Sequence, residues 1–182
     1  MNNSEMKIII GGFGGQGVVL AGTVLAKAAM SEDKHVTQMV SYGAEMRGGT
    51  ANSTVVISDT EIASPVIERP DVAILLNQPS LDKFEERIVS GGLAVINSSL
   101  VSREVQRRDL EVVKIEATEI ANLLGNVRVA NIVALGAFIE KTNLLKTQSV
   151  VRSIEELFSG KKAALIEINK KALTKGAGVA SF

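Results

Sequence analysis

The chain has no cysteine and no tryptophan, one tyrosine, one histidine and three prolines in 182 residues. Each shortage removes a class of function. Without cysteine there is no disulfide, no cysteine-ligated zinc, no thiol nucleophile and no cysteine-held iron–sulfur cluster in this chain. Such a composition suits a reducing compartment, and the expectation is a cytoplasmic protein. Aromatics at 3% leave no platform on which bases stack. The lone histidine, His35, lies between a polar turn and a strand-like stretch and reads as a surface residue, so no Ser/His/acid triad can be built. Charge of one sign is missing as well. Lys plus Arg and Asp plus Glu number 20 each, with no long run of either. No basic face is available to draw nucleic acid. The carboxylates are scattered without metal-ligand spacing. The longest strongly apolar segment, "VANIVALGAFI" (129–139), falls short of the roughly 20 residues that span a bilayer. It reads as a buried helix, and no membrane partner is expected. "MNNSEMK" carries no net positive charge and does not look like an export signal.

What is present is aliphatic. Hydrophobic residues reach 46%, so the core is built of Ile, Val, Leu and Ala. That suits a sheet covered by helices. Residues 7–10, 35–40, 51–58, 71–77, 93–98 and 111–117 read as strands. Helical spacing marks 18–30, 79–89, 118–124, 129–141 and 147–158. A last, Lys-rich helix spans 161–175 and stops at Gly176. Its "NKKALTKG" end reads as a solvated face. Strands alternating with helices predict a single three-layer α/β/α, Rossmann-like domain over residues 1–182, with a mixed, mostly parallel sheet. The β-rich piece at 51–58, between short connections, predicts at least one antiparallel strand.

"IIIGGFGGQGVVLAG" (8–22) sets five glycines in seven residues (11–17) between a strand and a helix. Backbone N–H groups and the dipole at a helix start favour anions. Gly12, Gly14 and Gly17 fit G-x-G-x-x-G, the dinucleotide fingerprint. Its companion acid belongs at the end of the second strand, where Val40, Ser41 and Tyr42 stand instead. Gly12 and Gly17 also fit the start of a Walker A loop. Val18 and Val19 occupy the places of its lysine and its magnesium-binding hydroxyl, which argues against nucleotide hydrolysis. Two readings stay open: a loop that lets backbone approach a ligand, and a tight β–α turn packed on a neighbour.

A second stretch, "SYGAEMRGG" (41–49), follows at a set distance. Together with "GGFGGQGVVLAGTVLAKAA" (11–29) it resembles the γ subunit of 2-oxoacid:ferredoxin (acceptor) oxidoreductases. "RPDVAILLNQPSLDKF" (69–84) is similar to that family's next βα unit. The resemblance implies an accessory α/β subunit, not catalytic alone, in a complex that converts 2-oxo acids and coenzyme A to acyl-CoA and carbon dioxide. It implies α and β subunits that hold thiamine diphosphate, iron–sulfur clusters in the β subunit and in a ferredoxin-like δ subunit, and ferredoxin or another acceptor. No cofactor is expected to be held tightly by this chain, although coenzyme A contact is implied. The wording "GGFGGQGV" is more like the 2-oxoglutarate enzymes than the pyruvate ones. Branched-chain and indolepyruvate enzymes stay open.

The residues singled out follow from both readings. Gly12, Gly14, Gly15 and Gly17 are candidates to cradle a phosphate of coenzyme A or to receive partner backbone. Gln16 is a polar amide at a helix start, aimed at a ligand or at solvent. Arg47 offers a planar fork of donors to a phosphate or carboxylate, with Glu45 to orient it; a surface pair of the two is the alternative. Tyr42 reads as an interface or a core residue. Gly48 and Gly49 permit a sharp bend.

Overall fold

The computed structural model describes residues 5–42 and 50–180, less the side chains of residues 161, 162 and 180. Six strands form one sheet: β1 (Glu5–Phe13), β2 (His35–Tyr42), β3 (Thr50–Ser58), β4 (Val72–Leu75), β5 (Leu93–Asn97) and β6 (Glu111–Ile115). Their order is β2-β3-β1-β4-β5-β6. The β4, β5 and β6 strands run parallel to β1, while β3 is antiparallel to both of its neighbours. One reversed strand in a mostly parallel sheet agrees with the reading of residues 51–58.

The sheet's two faces follow from the period of two. Ile8 and Ile10 enter one core and Ile9 the other. The first face carries α1 (Val18–Met30), α3 (Ala117–Leu123), α4 (Ala130–Thr142) and α6 (Ile166–Ala180), with α5 (Thr147–Leu157) packed on α1. The second is covered by α2 (Gln78–Phe84), the turn after it and the coil that carries Val101, Val105 and Leu110. The result is a three-layer α/β/α arrangement with unequal layers.

Three differences from the sequence reading bear on packing. The first strand does not stop at the glycines. It runs to Phe13, with Gly11 opposite Asn52 and Gly12 opposite Ala51. The glycines are there for packing. A Cβ on Gly11 would lie 2.9 Å from the Ser80 Cβ, and one on Gly12 2.8 Å from Gln16 Oε1. The helix expected at 79–89 ends at Phe84 and tightens into a 3-10 turn, Glu85–Arg87. That turn buries the Glu85 carboxylate against the coil after β5, where it accepts from Arg107 N (3.0 Å) and from Arg103 Nη1 (2.6 Å). The last helix begins at Ile166 after a 3-10 stretch (Gly160–Leu165) and does not stop at Gly176. Gly176 is buried mid-helix, against α4.

Candidate functional site

The β1 and β4 strands are neighbours, but the chain leaves them on opposite faces. After β1 it enters α1 on the first face, and after β4 it enters α2 on the second. A crevice opens at the carboxyl ends of the strands where the crossover direction changes, the usual ligand position in open α/β sheets. The residues lining it come from the 14–17 loop, from the residues after β4, and from the ends of β5 and α4.

The loop is a tight turn. Gln16 N donates to Phe13 O (3.1 Å), and Gly15 and Gly17 have φ of 97° and 73°, values that favour glycine. Gly14 and Gly15 are exposed, and nothing lies within 4 Å of where their Cβ atoms would stand. Their N–H groups have no acceptor among the described residues. Gly17 is packed instead: a Cβ there would collide with Asn131 Nδ2. Five glycines thus divide into three kinds: two in a strand, Gly11 under α2 and Gly12 against Gln16 and Val18, two open, and one as the left-handed start of α1.

Side-chain amides tie this region together. Gln16 is half-buried, and its Oε1 accepts from Phe13 N (2.6 Å) and from Asn77 Nδ2 (2.9 Å). Asn77, which is buried, caps α2 by accepting from Ser80 N (2.9 Å). Asn97, at the end of β5, donates to Leu76 O (3.1 Å) and Thr118 Oγ1 (2.9 Å). Asn131, in the first turn of α4, donates to Gly17 O (2.8 Å), which also accepts from Ala21 N (3.0 Å). Asn77, Asn97 and Asn131, all buried, each use both their oxygen and their nitrogen, as buried polar groups in folded chains do.

Beside the loop lies a cavity of about 130 Å³, walled by Gly15, Gln16, Leu76, Val127 and Arg128, among others. Arg128 is the charged residue on it. The arrangement offers exposed backbone donors, an amide and a guanidinium over an apolar floor. That chemistry suits an anionic group with an apolar portion.

The candidates read from the sequence scatter across this picture in an informative way. Gly14, Gly15 and Gln16 are at the crevice. Gly12 is inside β1 and buried. Glu45, Arg47, Gly48 and Gly49 lie outside the described residues. Tyr42, at the end of the edge strand, is 72% exposed. His35 is exposed. The acids near the second strand are used elsewhere: Glu32 Oε1 accepts from Lys146 N (2.7 Å), and Asp59 pairs with Lys34. Asn77, Asn97, Asn131 and Arg128 were not singled out from the sequence. "LLN" at 75–77 and "VIN" at 95–97 share one signal that reaches two of them: an amide closing an aliphatic run.

The chain has no cysteine, and among the described residues no three His, Asp or Glu side chains converge. No helix is long and apolar enough to cross a membrane, among the described residues.

Comparison with known proteins places the chain. A family model described as pyruvate ferredoxin/flavodoxin oxidoreductase matches residues 7–179. Ketoisovalerate oxidoreductase subunit VorA of Methanothermobacter thermautotrophicus is 38% identical over 174 residues, which are 95% of this chain and 36% of VorA. 2-oxoglutarate synthase subunit KorC of Methanocaldococcus jannaschii is 39% identical over 161 residues, 85% of this chain and 86% of KorC. The crystal structure of a keto/oxoacid ferredoxin oxidoreductase gamma subunit from Geobacter sulfurreducens superposes with a TM-score of 0.83 at 31% identity, covering 96% of this chain and 98% of that one. The chain therefore spans little more than a third of VorA but most of KorC. With this fold and a family match over residues 7–179, the chain belongs to the pyruvate ferredoxin/flavodoxin oxidoreductase family.

Proposed function

We propose that residues 1–182 form one domain, the γ-type subunit of a 2-oxoacid:ferredoxin (acceptor) oxidoreductase, accessory in role and without a catalytic group of its own. The reaction of such a complex joins a 2-oxo acid to coenzyme A, releases carbon dioxide and passes two electrons to ferredoxin or another acceptor. In this reading α and β subunits and a ferredoxin-like δ subunit hold the thiamine diphosphate and the clusters, in the cytoplasm. The preferred acid is 2-oxoglutarate. The likeness to KorC along most of its length supports it, and the likeness to VorA makes ketoisovalerate the acid to test against it.

The glycine loop is the part of this chain that meets coenzyme A. One observation carries that reading: the N–H groups of Gly14 and Gly15 are exposed and without acceptors among the described residues, at the start of the 13-residue helix α1, on the crevice. Such groups stabilise phosphate oxygens. Arg47, with Glu45 to orient it, serves the same ligand.

Two measurements test the reading. The complex purified anaerobically from its source is assayed with 2-oxoglutarate, pyruvate, ketoisovalerate and indolepyruvate. It is then assayed with Gly14→Glu in this chain. Glutamate there meets open space, so the fold is kept, while its charge faces the anion. The apparent KM for coenzyme A is expected to rise at least tenfold with the complex intact. An unchanged KM removes the loop from the coenzyme A site.

A further inference from the structure

The orientation of an amide side chain is set by its partners, and here the partners form a chain. The Ser80 N–H at the start of α2 is a donor, so the atom of Asn77 facing it at 2.9 Å is the oxygen, Oδ1. That turns Asn77 Nδ2 outward, toward Gln16. The atom of Gln16 facing Asn77 Nδ2 at 2.9 Å must then accept, and the same atom accepts from Phe13 N at 2.6 Å. Two donors from different elements fix it as Oε1. The remaining atom, Gln16 Nε2, has no partner among the described residues, and Gln16 lines the cavity beside Gly15.

We infer that Gln16 presents Nε2 as a fixed donor to a phosphate oxygen of the ligand in this crevice, and that Asn77 is the positioning residue that fixes it. The inference rests on the reading that the loop takes coenzyme A. It gives the crevice a neutral side-chain donor, in a loop that has valine at the place of the Walker lysine. The Asn77–Gln16 pair joins residues 61 positions apart and bridges the two loops that leave the sheet on opposite faces. Preorganising a donor in this way lowers the ordering cost of binding.

Two substitutions separate the roles. In Gln16→Glu the carboxylate still accepts from Phe13 N and Asn77 Nδ2, so the fold is kept, but an oxygen replaces the donor. In Asn77→Asp the α2 cap is kept, since aspartate accepts from Ser80 N equally well. The donor to Gln16 is lost, and Gln16 is free to turn. Both are made in the assembled complex, with coenzyme A titrated kinetically and by calorimetry, beside the Gly14→Glu control. The expected order of the loss in coenzyme A affinity is Gln16→Glu, tenfold or more, then Asn77→Asp, about three- to tenfold, for the loss of one charge-assisted hydrogen bond and of its orientation. A cap or packing role alone leaves Asn77→Asp like the wild type. If Gly14→Glu raises KM and Gln16→Glu does not, the donor assignment is overturned while the loop reading stands. If Gln16→Glu raises KM and Asn77→Asp does not, the positioning role is overturned. If none of the three moves KM, the coenzyme A reading itself falls.

Discussion

Gly136 and Gly176 bring α4 and α6 into backbone contact: a Cβ on Gly136 would stand 2.2 Å from the Leu173 carbonyl oxygen, and one on Gly176 1.9 Å from that of Val133. Neither distance is attainable, so any side chain at either place drives the helices apart. Gly136→Ala and Gly176→Ala are each expected to destabilise the chain by about 1–3 kcal/mol, the usual cost of overpacking. Thermal melts followed by circular dichroism read this directly. Wild-type melting temperatures in both variants would show that the helices part freely. Gly178→Ala, two residues on, meets open space and serves as the control.

Gly17 and Gly91 share a positive φ, 73° and 75°, but not their surroundings. A side chain at Gly91 meets nothing within 4 Å, whereas one at Gly17 meets Asn131 Nδ2. Alanine at Gly91 is expected to cost only the backbone strain, about 1–2 kcal/mol. Alanine at Gly17 adds a collision to that strain. Asn131→Ala removes the collision, so the double variant Gly17→Ala/Asn131→Ala is expected to be more stable than the sum of the single losses predicts. Strict additivity in a double-mutant cycle argues that the two residues do not touch.

Glu85 gives the fold a pH dependence with a definite sign. Burial pushes its carboxyl up, but hydrogen bonds from Arg107 N, the Arg103 guanidinium and Gln106 N outweigh that and hold it below its ordinary 4.5. A group whose pKa is depressed on folding stabilises the chain above the unfolded value. That contribution is lost as the pH falls below about 4.5 toward the folded value. Glu85→Gln is expected to cost about 1–3 kcal/mol at pH 7 and progressively less as the pH is lowered from 5. Denaturant midpoints of both proteins across this range test it. A gap between them that is as wide at pH 3.5 as at pH 7 contradicts the account.

Arg47 is tested by grading charge against geometry. Lysine keeps the charge and loses the two-pronged fork, and alanine loses both. If the residue serves the coenzyme A anion, KM for coenzyme A is expected to rise from Arg to Lys to Ala, by about tenfold or more for alanine, with the complex still assembled. Loss of subunit retention on gel filtration, with unchanged kinetics in what remains, would assign it to an interface instead.

The regular elements were legible because their signals are local. β-Branched residues mark the run at 51–58, and the 18–30 spacing gives α1 without correction. The glycine loop was legible as a turn of special backbone, and the φ values of Gly15 and Gly17 bear that out. What the sequence hid depends on distant partners. Gly11 and Gly12 read as loop because glycine is a poor strand residue, yet they are glycine because α2 and Gln16 occupy the space of their side chains. Gly176 read as a helix stop because no local signal reveals Val133 against it. Asn131 bonds to a residue 114 positions earlier, and nothing near it in sequence marks that role.

The run of amides from Ser80 through Asn77 to Gln16 contains no group that gains or loses a proton in ordinary buffers. A lysine or histidine in the same place would make anion capture wax and wane with acidity. Here the donor keeps its direction and strength from mildly acid to mildly alkaline solution. A bend in the pH–affinity profile at this crevice therefore reports the ionisation of the ligand or of charged neighbours, and the amide relay itself is silent to pH.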